Sequence, residues 1–135
     1  MISAEVEFRV EFYDVDPMQV VWHGNYFKFF EAARRALLDK INYGYVEMQN
    51  SGWAFPVTKT SAKYIRSFKL GDVVLAKAIL TEYETCLKMK YELYNKKTGD
   101  LYTKGESSQM AVNIEKQISY FACPDDLIKK VNALL

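Results

Sequence analysis

Residues 13–26, YDVDPMQVVWHGNY, bring together Asp14, Asp16 and the only histidine of the chain, His23, in a stretch that also holds Pro17 and Gly24. The stretch follows neither the two-residue period of a strand nor the 3.6-residue period of a helix, so it reads as a loop. A carboxylate in an apolar loop just ahead of a helix can act as a nucleophile or a general base, and the unpaired N–H groups of the first helical turn can stabilise an oxyanion. Asp16 has that place, with His23 and Gly24 at the helix entrance. Each of these residues also has a plainer reading. An Asp before Pro commonly just starts a turn, a lone His is more often a structural hydrogen-bonding group, and Asp14 reads as a residue that orients the loop.

Other chemistries find little support. There is no recognisable Ser-His-Asp or Cys-His set and no glycine-rich phosphate loop, and one histidine cannot build a common metal site. Cys86 and Cys123 are far apart, with no second Cys or His at ligand spacing. Neither a metal nor a redox cofactor is expected.

The elements that must position the loop are legible from periodicity. In residues 5–12, Val6, Phe8, Val10 and Phe12 alternate with charged residues, which predicts a strand with one buried face. After the loop, Asn25 can cap a long helix over residues 26–41 that places Tyr26, Phe30, Ala33, Leu37 and Ile41 on one stripe, with Phe29 and Ala36 beside it. Residues 45–50 suit a short second helix. Residues 53–68 and 73–83 are strand-like runs joined by the turn KLGD, which predicts a hairpin. Residues 87–94 and 101–113, joined by KKTGD, continue a meander, and ISYF at 118–121 precedes a terminal helix starting near Pro124.

The order gives an α+β domain, residues 1–135 as one unit, with an antiparallel sheet covered on one face by the long helix. The other sheet face, and an edge strand with it, then needs burial in a chain with 10 Tyr and 8 Phe, which predicts a homo-oligomer. Eighteen basic against 17 acidic residues leave a net charge of +1, too little to draw the chain onto nucleic acid or an anionic membrane. The two unpaired cysteines and the lack of a basic-then-apolar start suit a reducing cytoplasm.

The run DVDPMQVVWHGNYFKFFEAAR resembles the hot-dog-fold acyl-CoA thioesterases of the 4-hydroxybenzoyl-CoA thioesterase family, whose motif runs roughly D-x-D-x-x-G-V-V-aromatic-H-x-N-Y. The later LGD at 70–72 and the meander fit the same order. The resemblance implies a sheet wrapped around a central helix, an acyl-CoA substrate (or, less favoured, an acyl carrier protein thioester), and a dimer or dimer of dimers with the site at an interface. It implies that Asp16 is catalytic and that the backbone N–H groups of His23 and Gly24 form the oxyanion site. Asn25 and Tyr26 match the family's Asn-Tyr. Where the family often has Gly, this chain has Gln19, which leaves the loop less free to adopt positive φ and could touch substrate or water.

Among the scattered basic residues, Arg66 and Lys88 are the candidates for contacts to coenzyme A phosphates. A hot-dog hydratase or dehydratase using the His23 imidazole, and a non-catalytic acyl-CoA-binding domain, are the rival readings. Release of free thiol separates them from a hydrolase.

Overall fold

A computed structural model describes residues 1–135, and its elements follow the sequence periods closely where those periods are clear. Strand β1 spans Ser3–Arg9, helix α1 Asn25–Lys40, helix α2 Tyr45–Asn50, strand β2 Trp53–Ala54 and strand β3 Val57–Tyr64. Strands β4 (Val73–Glu82), β5 (Leu87–Asn95) and β6 (Leu101–Gln109) form the meander, followed by β7 (Ala111–Asn113), β8 (Ile118–Tyr120) and helix α3 (Asp125–Asn132). The main antiparallel sheet has the order β1-β4-β5-β6-β3, and β2-β7-β8 form a small second sheet. No helix is long and apolar enough to cross a membrane.

Helix α1 buries Tyr26, Phe29, Phe30, Ala33, Leu37 and Leu38 against the sheet; Leu38 joins the stripe that the spacing predicts, while Ala36 stays half-buried. It lies nearest β1 and β4, where the inward residues Val74, Ala76 and Ala78 are short and fully buried. Short side chains there let the helix approach, and the larger Leu87, Met89, Tyr91 and Leu93 of β5 fill the space beyond. The helix ends where Asn42 takes a left-handed φ of 58° and the Tyr43 N–H turns back to the Leu38 carbonyl at 2.8 Å.

Three boundaries differ from the sequence reading. The first strand ends at Arg9, not at residue 12, because Phe12–Asp14 turns back in a short 3₁₀ helix. The run 53–68 breaks at Phe55-Pro56, since proline cannot supply a ladder N–H. Most importantly, residues 53–68 and 73–83 form no hairpin. β3 pairs with β6 while β4 pairs with β1 and β5, so residues 65–72 cross the sheet instead. The KLGD turn does form: the Lys69 N–H donates to Asp72 Oδ2 at 2.9 Å and Gly71 has a φ of 88°. A tight turn reverses the chain without choosing which strand lies beside it.

The outer sheet face is mixed: Leu75, Ile79 and Tyr94 lie on it, beside a row of alternating charge in which Glu5, Lys77, Glu92 and Lys104 stand in register across β1, β4, β5 and β6. The two edge strands, β1 and β3, are each bonded on one side only, and β3 is exposed at nearly every residue.

Gly105 on β6 shows how closely the helix is seated. The Phe30 ring stacks on Tyr91 with centroids 4.9 Å apart and planes 9° apart, and a Cβ at Gly105 would lie 2.4 Å from that ring. Both aromatics are buried and cannot yield easily. Gly105→Ala is expected to lose about 1–3 kcal/mol through overpacking, read as a lower urea midpoint with an unchanged m value.

Candidate active site

Residues 15–21 are not an open loop but a small hairpin. The Asp16 N–H donates to the Val20 carbonyl at 2.9 Å and the Gln19 N–H to the Asp16 carbonyl at 2.8 Å, with Val15 bridged to Val21. This is the three-residue hairpin connection whose last loop position is left-handed, and that position is Gln19, with φ 64°. The expectation that glutamine would hold the loop away from positive φ is therefore corrected: hairpin closure imposes the conformation on the residue present. The Gln19 side chain is exposed.

Asp16, half-buried at the start of the turn, accepts the Met18 N–H on Oδ1 at 2.9 Å and the Val20 N–H on the same oxygen at 3.4 Å. Its plainer role as a turn-former is thus real. Oδ2 bonds to no group of the chain, so the turn orients the carboxylate while leaving one oxygen free. The hairpin is fixed to the crossing link by the Val21 N–H to Phe68 carbonyl bond at 2.9 Å and the Leu70 N–H to Gln19 carbonyl bond at 3.1 Å.

Asp14 performs the orienting task. It is 3 % exposed; Oδ1 pairs with the Lys28 ammonium and Oδ2 accepts the Glu11 N–H at 2.9 Å. Its carbonyl accepts the Trp22 N–H at 3.1 Å and the Asn25 Nδ2 amide at 2.8 Å. Asn25 therefore does not cap α1 with its side chain. Gly24 is the N-cap residue, and no side chain bonds the free end of the helix.

At that entrance the N–H groups of His23 and Gly24 donate to nothing in the chain. The indole of Trp22 lies over Gly24 so closely that a Cβ there would fall 2.1 Å from the ring. The His23 imidazole is exposed and packs on Trp22, centroids 4.8 Å apart, and its carbonyl accepts the Tyr64 hydroxyl at 2.9 Å. The sequence reading passed over Tyr64; only its place at the end of a strand-like run could have pointed to it. Asp16 and the two free N–H groups thus sit in one short segment at the entrance of α1, a carboxylate oxygen and paired donors suited to acyl transfer.

The two basic candidates separate. Arg66, in the crossing link, sits at the same end of the sheet as the hairpin and faces Asp100, Nη1 to Oδ2 3.5 Å. Lys88 opens β5 at the opposite end, beside Glu82 and Ser108, exposed among the outward residues. Within one chain it does not join Asp16. No three His, Cys, Asp or Glu side chains converge as metal ligands.

Residues 10–131 match the family model of the thioesterase-like superfamily. The chain is 27% identical over 116 residues to the Bacillus subtilis (strain 168) protein named "Putative acyl-CoA thioesterase YneP", covering 85% of this chain and 83% of that one. Among solved structures, a DHNA-CoA thioesterase from Staphylococcus aureus superposes with a TM-score of 0.84 at 30% identity, covering 99% of this chain and 93% of the other. A 4-hydroxybenzoyl-CoA thioesterase mutant complexed with 4-hydroxybenzoyl-CoA has the same fold, with a TM-score of 0.83 at 19% identity over 96% of this chain and 99% of that one.

The left-handed Gln19 generates a stability test. Such a backbone costs a residue with a Cβ about 1–2 kcal/mol, while glycine gives back roughly 0.5–1 kcal/mol through its freer unfolded state. Gln19→Gly is expected to be more stable by up to about 1 kcal/mol, seen as a higher denaturation midpoint; a lower midpoint would mean the Gln19 side chain makes stabilising contacts.

Proposed function

The chain belongs to the thioesterase-like superfamily and is a thioester hydrolase, and from that premise we propose that it cleaves acyl-CoA to a carboxylic acid and free CoA, using Asp16 and the N–H groups of His23 and Gly24. The observation that carries the residue assignment is the half-tied carboxylate: Oδ1 held by its own turn, Oδ2 free, on the same segment as two N–H donors without partners.

In this mechanism the thioester oxygen accepts those two N–H groups, which stabilise the negative charge as the carbonyl carbon becomes tetrahedral. That tetrahedral centre forms when Asp16 Oδ2 attacks the carbonyl carbon, collapsing with loss of the thiolate to an anhydride that water then cleaves, or when water attacks as Asp16 takes its proton. Either route consumes one water: the acyl carbon gains the oxygen and the thiolate sulfur leaves with a proton. The Gln19 side chain, exposed beside this turn, is free to meet substrate or water. Arg66 is the better placed of the two basic candidates for a CoA phosphate in the same chain.

The working unit is a homodimer built through the open edge of β3. A two-fold antiparallel pairing reverses the strand, so the Val57 end of one copy meets the Tyr64 end of the other. An apolar groove of about 560 Å³, lined by Met48, Trp53, Phe55, Pro56 and Val112, opens beside the Val57 end. Across the two-fold it faces the partner's helix entrance, where it would take the acyl group of a substrate held at that entrance. Lys88, at the same end of the sheet, becomes the basic candidate contributed from across the seam. A reducing cytoplasm suits the two free cysteines.

Two measurements test these assignments. Asp16→Asn keeps shape but removes the anionic oxygen, and should lower thiol release about 10²- to 10⁴-fold, more if the carboxylate is the nucleophile. His23→Ala keeps its amide and should lose far less. Equal large losses in the two folded variants would instead give the imidazole the chemistry, and near wild-type release from Asp16→Asn would end the mechanism. Light scattering should find at least a dimer; a strict monomer with full activity would remove the interface site.

A further inference from the structure

We propose that the Tyr64 hydroxyl is a positioning group for the reaction, fixing the His23–Gly24 peptide so that the Gly24 N–H is presented to the thioester oxygen. The inference rests on the hydrolase reading above and adds a residue that the loop motif does not contain. Tyr64 is the last residue of β3, 41 positions from His23, and its hydroxyl donates to the His23 carbonyl at 2.9 Å.

A trans peptide is a rigid plane in which the carbonyl of one residue and the N–H of the next point in opposite directions. Tying the His23 oxygen to the strand therefore sets the direction of the Gly24 N–H, which bonds to no group of the chain. A hydrogen bond to a carbonyl also polarises the N–H at the other end of the same amide, making it a better donor. The effect is directed at one atom pair, because the neighbouring Trp22 carbonyl is already satisfied by the Asn25 N–H at 2.9 Å.

The hydroxyl is rigidly held. The Tyr64 ring meets Tyr26 edge-on, centroids 4.9 Å apart and planes 73° apart. Tyr26 is itself 2 % exposed, and its hydroxyl accepts the Phe68 N–H at 3.1 Å. Yet stability does not call for the Tyr64 oxygen. The helix entrance is independently anchored through Asp14 and Asn25. Because Tyr64 belongs to the edge strand, the donor at the helix entrance is braced by the same strand through which two copies would pair.

Tyr64→Phe keeps the ring and removes only the oxygen. Thiol release from a panel of aliphatic and aromatic acyl-CoAs should show kcat lowered about 5- to 50-fold, less than the 10²–10³ typical of deleting a donor outright, with KM and melting temperature unchanged. Tyr83→Phe, which loses a hydroxyl bonded to Asn132 far from the site, should match wild type. In parallel, the amide nitrogen resonance of Gly24 should move in Tyr64→Phe and stay in Tyr83→Phe, since it senses hydrogen bonding at the His23 carbonyl. An unmoved Gly24 resonance overturns the proposal whatever the activity. So does a kcat within two-fold of wild type, or a rise in KM with kcat intact, which would make the hydroxyl a substrate contact. If wild type releases no thiol from any acyl-CoA, the hydrolase reading fails, and the Gly24 resonance still decides whether Tyr64 sets the peptide.

Discussion

The buried carboxylate of Asp14 is the constraint around which the helix entrance is organised. A charge at 3 % exposure is tolerable only if it is paired and hydrogen-bonded, and breaking such a pair leaves an uncompensated charge that costs several kcal/mol. Lys28 and the Glu11 N–H satisfy its two oxygens, while its carbonyl holds the Trp22 N–H and the Asn25 side chain. Lys28 also lies over the Tyr13 ring at 5.2 Å. The partners come from three pieces of chain: the exit of β1, the end of the 15–21 hairpin and the first turn of α1. One buried acid thus sets the relative position of strand, hairpin and helix, and the second aspartate of the pair keeps one oxygen free of the chain.

The hairpin carrying Asp16 is short and strained at Gln19, and on its own it would be marginal. Its stability is borrowed from the crossing link. Val21 and Gln19 bond to Phe68 and Leu70, and Phe68, fully buried, is bonded through its N–H to the hydroxyl of Tyr26 on α1. The carboxylate, the two free N–H groups and the tyrosine bonded to the His23 carbonyl are therefore mounted on the rigid helix–sheet frame. A reacting group must be held to within about half an ångström to be effective, and a freely moving loop could not do that.

The division of labour on the sheet follows from size and charge. Short residues on β4 and Gly105 on β6 seat the helix, and a row of alternating charge runs across the outer face. The sheet is left with two unpaired edges, β1 and β3, and at β3 a row of backbone donors and acceptors has no strand beside it. The same strand carries Tyr64 at one end and adjoins the apolar groove at the other. In the proposed dimer, assembly, acyl binding and orientation of the helix-entrance peptide converge on one eight-residue element.

The amino-acid sequence by itself determined the amphipathic helix from Tyr26 onward, the alternation of β5, the tight turn at KLGD and the dense chemistry of residues 14–25, because each of these is encoded by residues within a few positions of one another. It also determined, through the motif, which aspartate to single out. Tertiary structure alone decided that β3 lies beside β6 and not beside β4, that Asp14 is the buried anchor, that Gln19 must be left-handed, and that Tyr64 reaches the His23 carbonyl across 41 positions. These depend on which distant segments compete for the same edge, cavity or hydrogen bond, and the period of a local run carries no record of the winner.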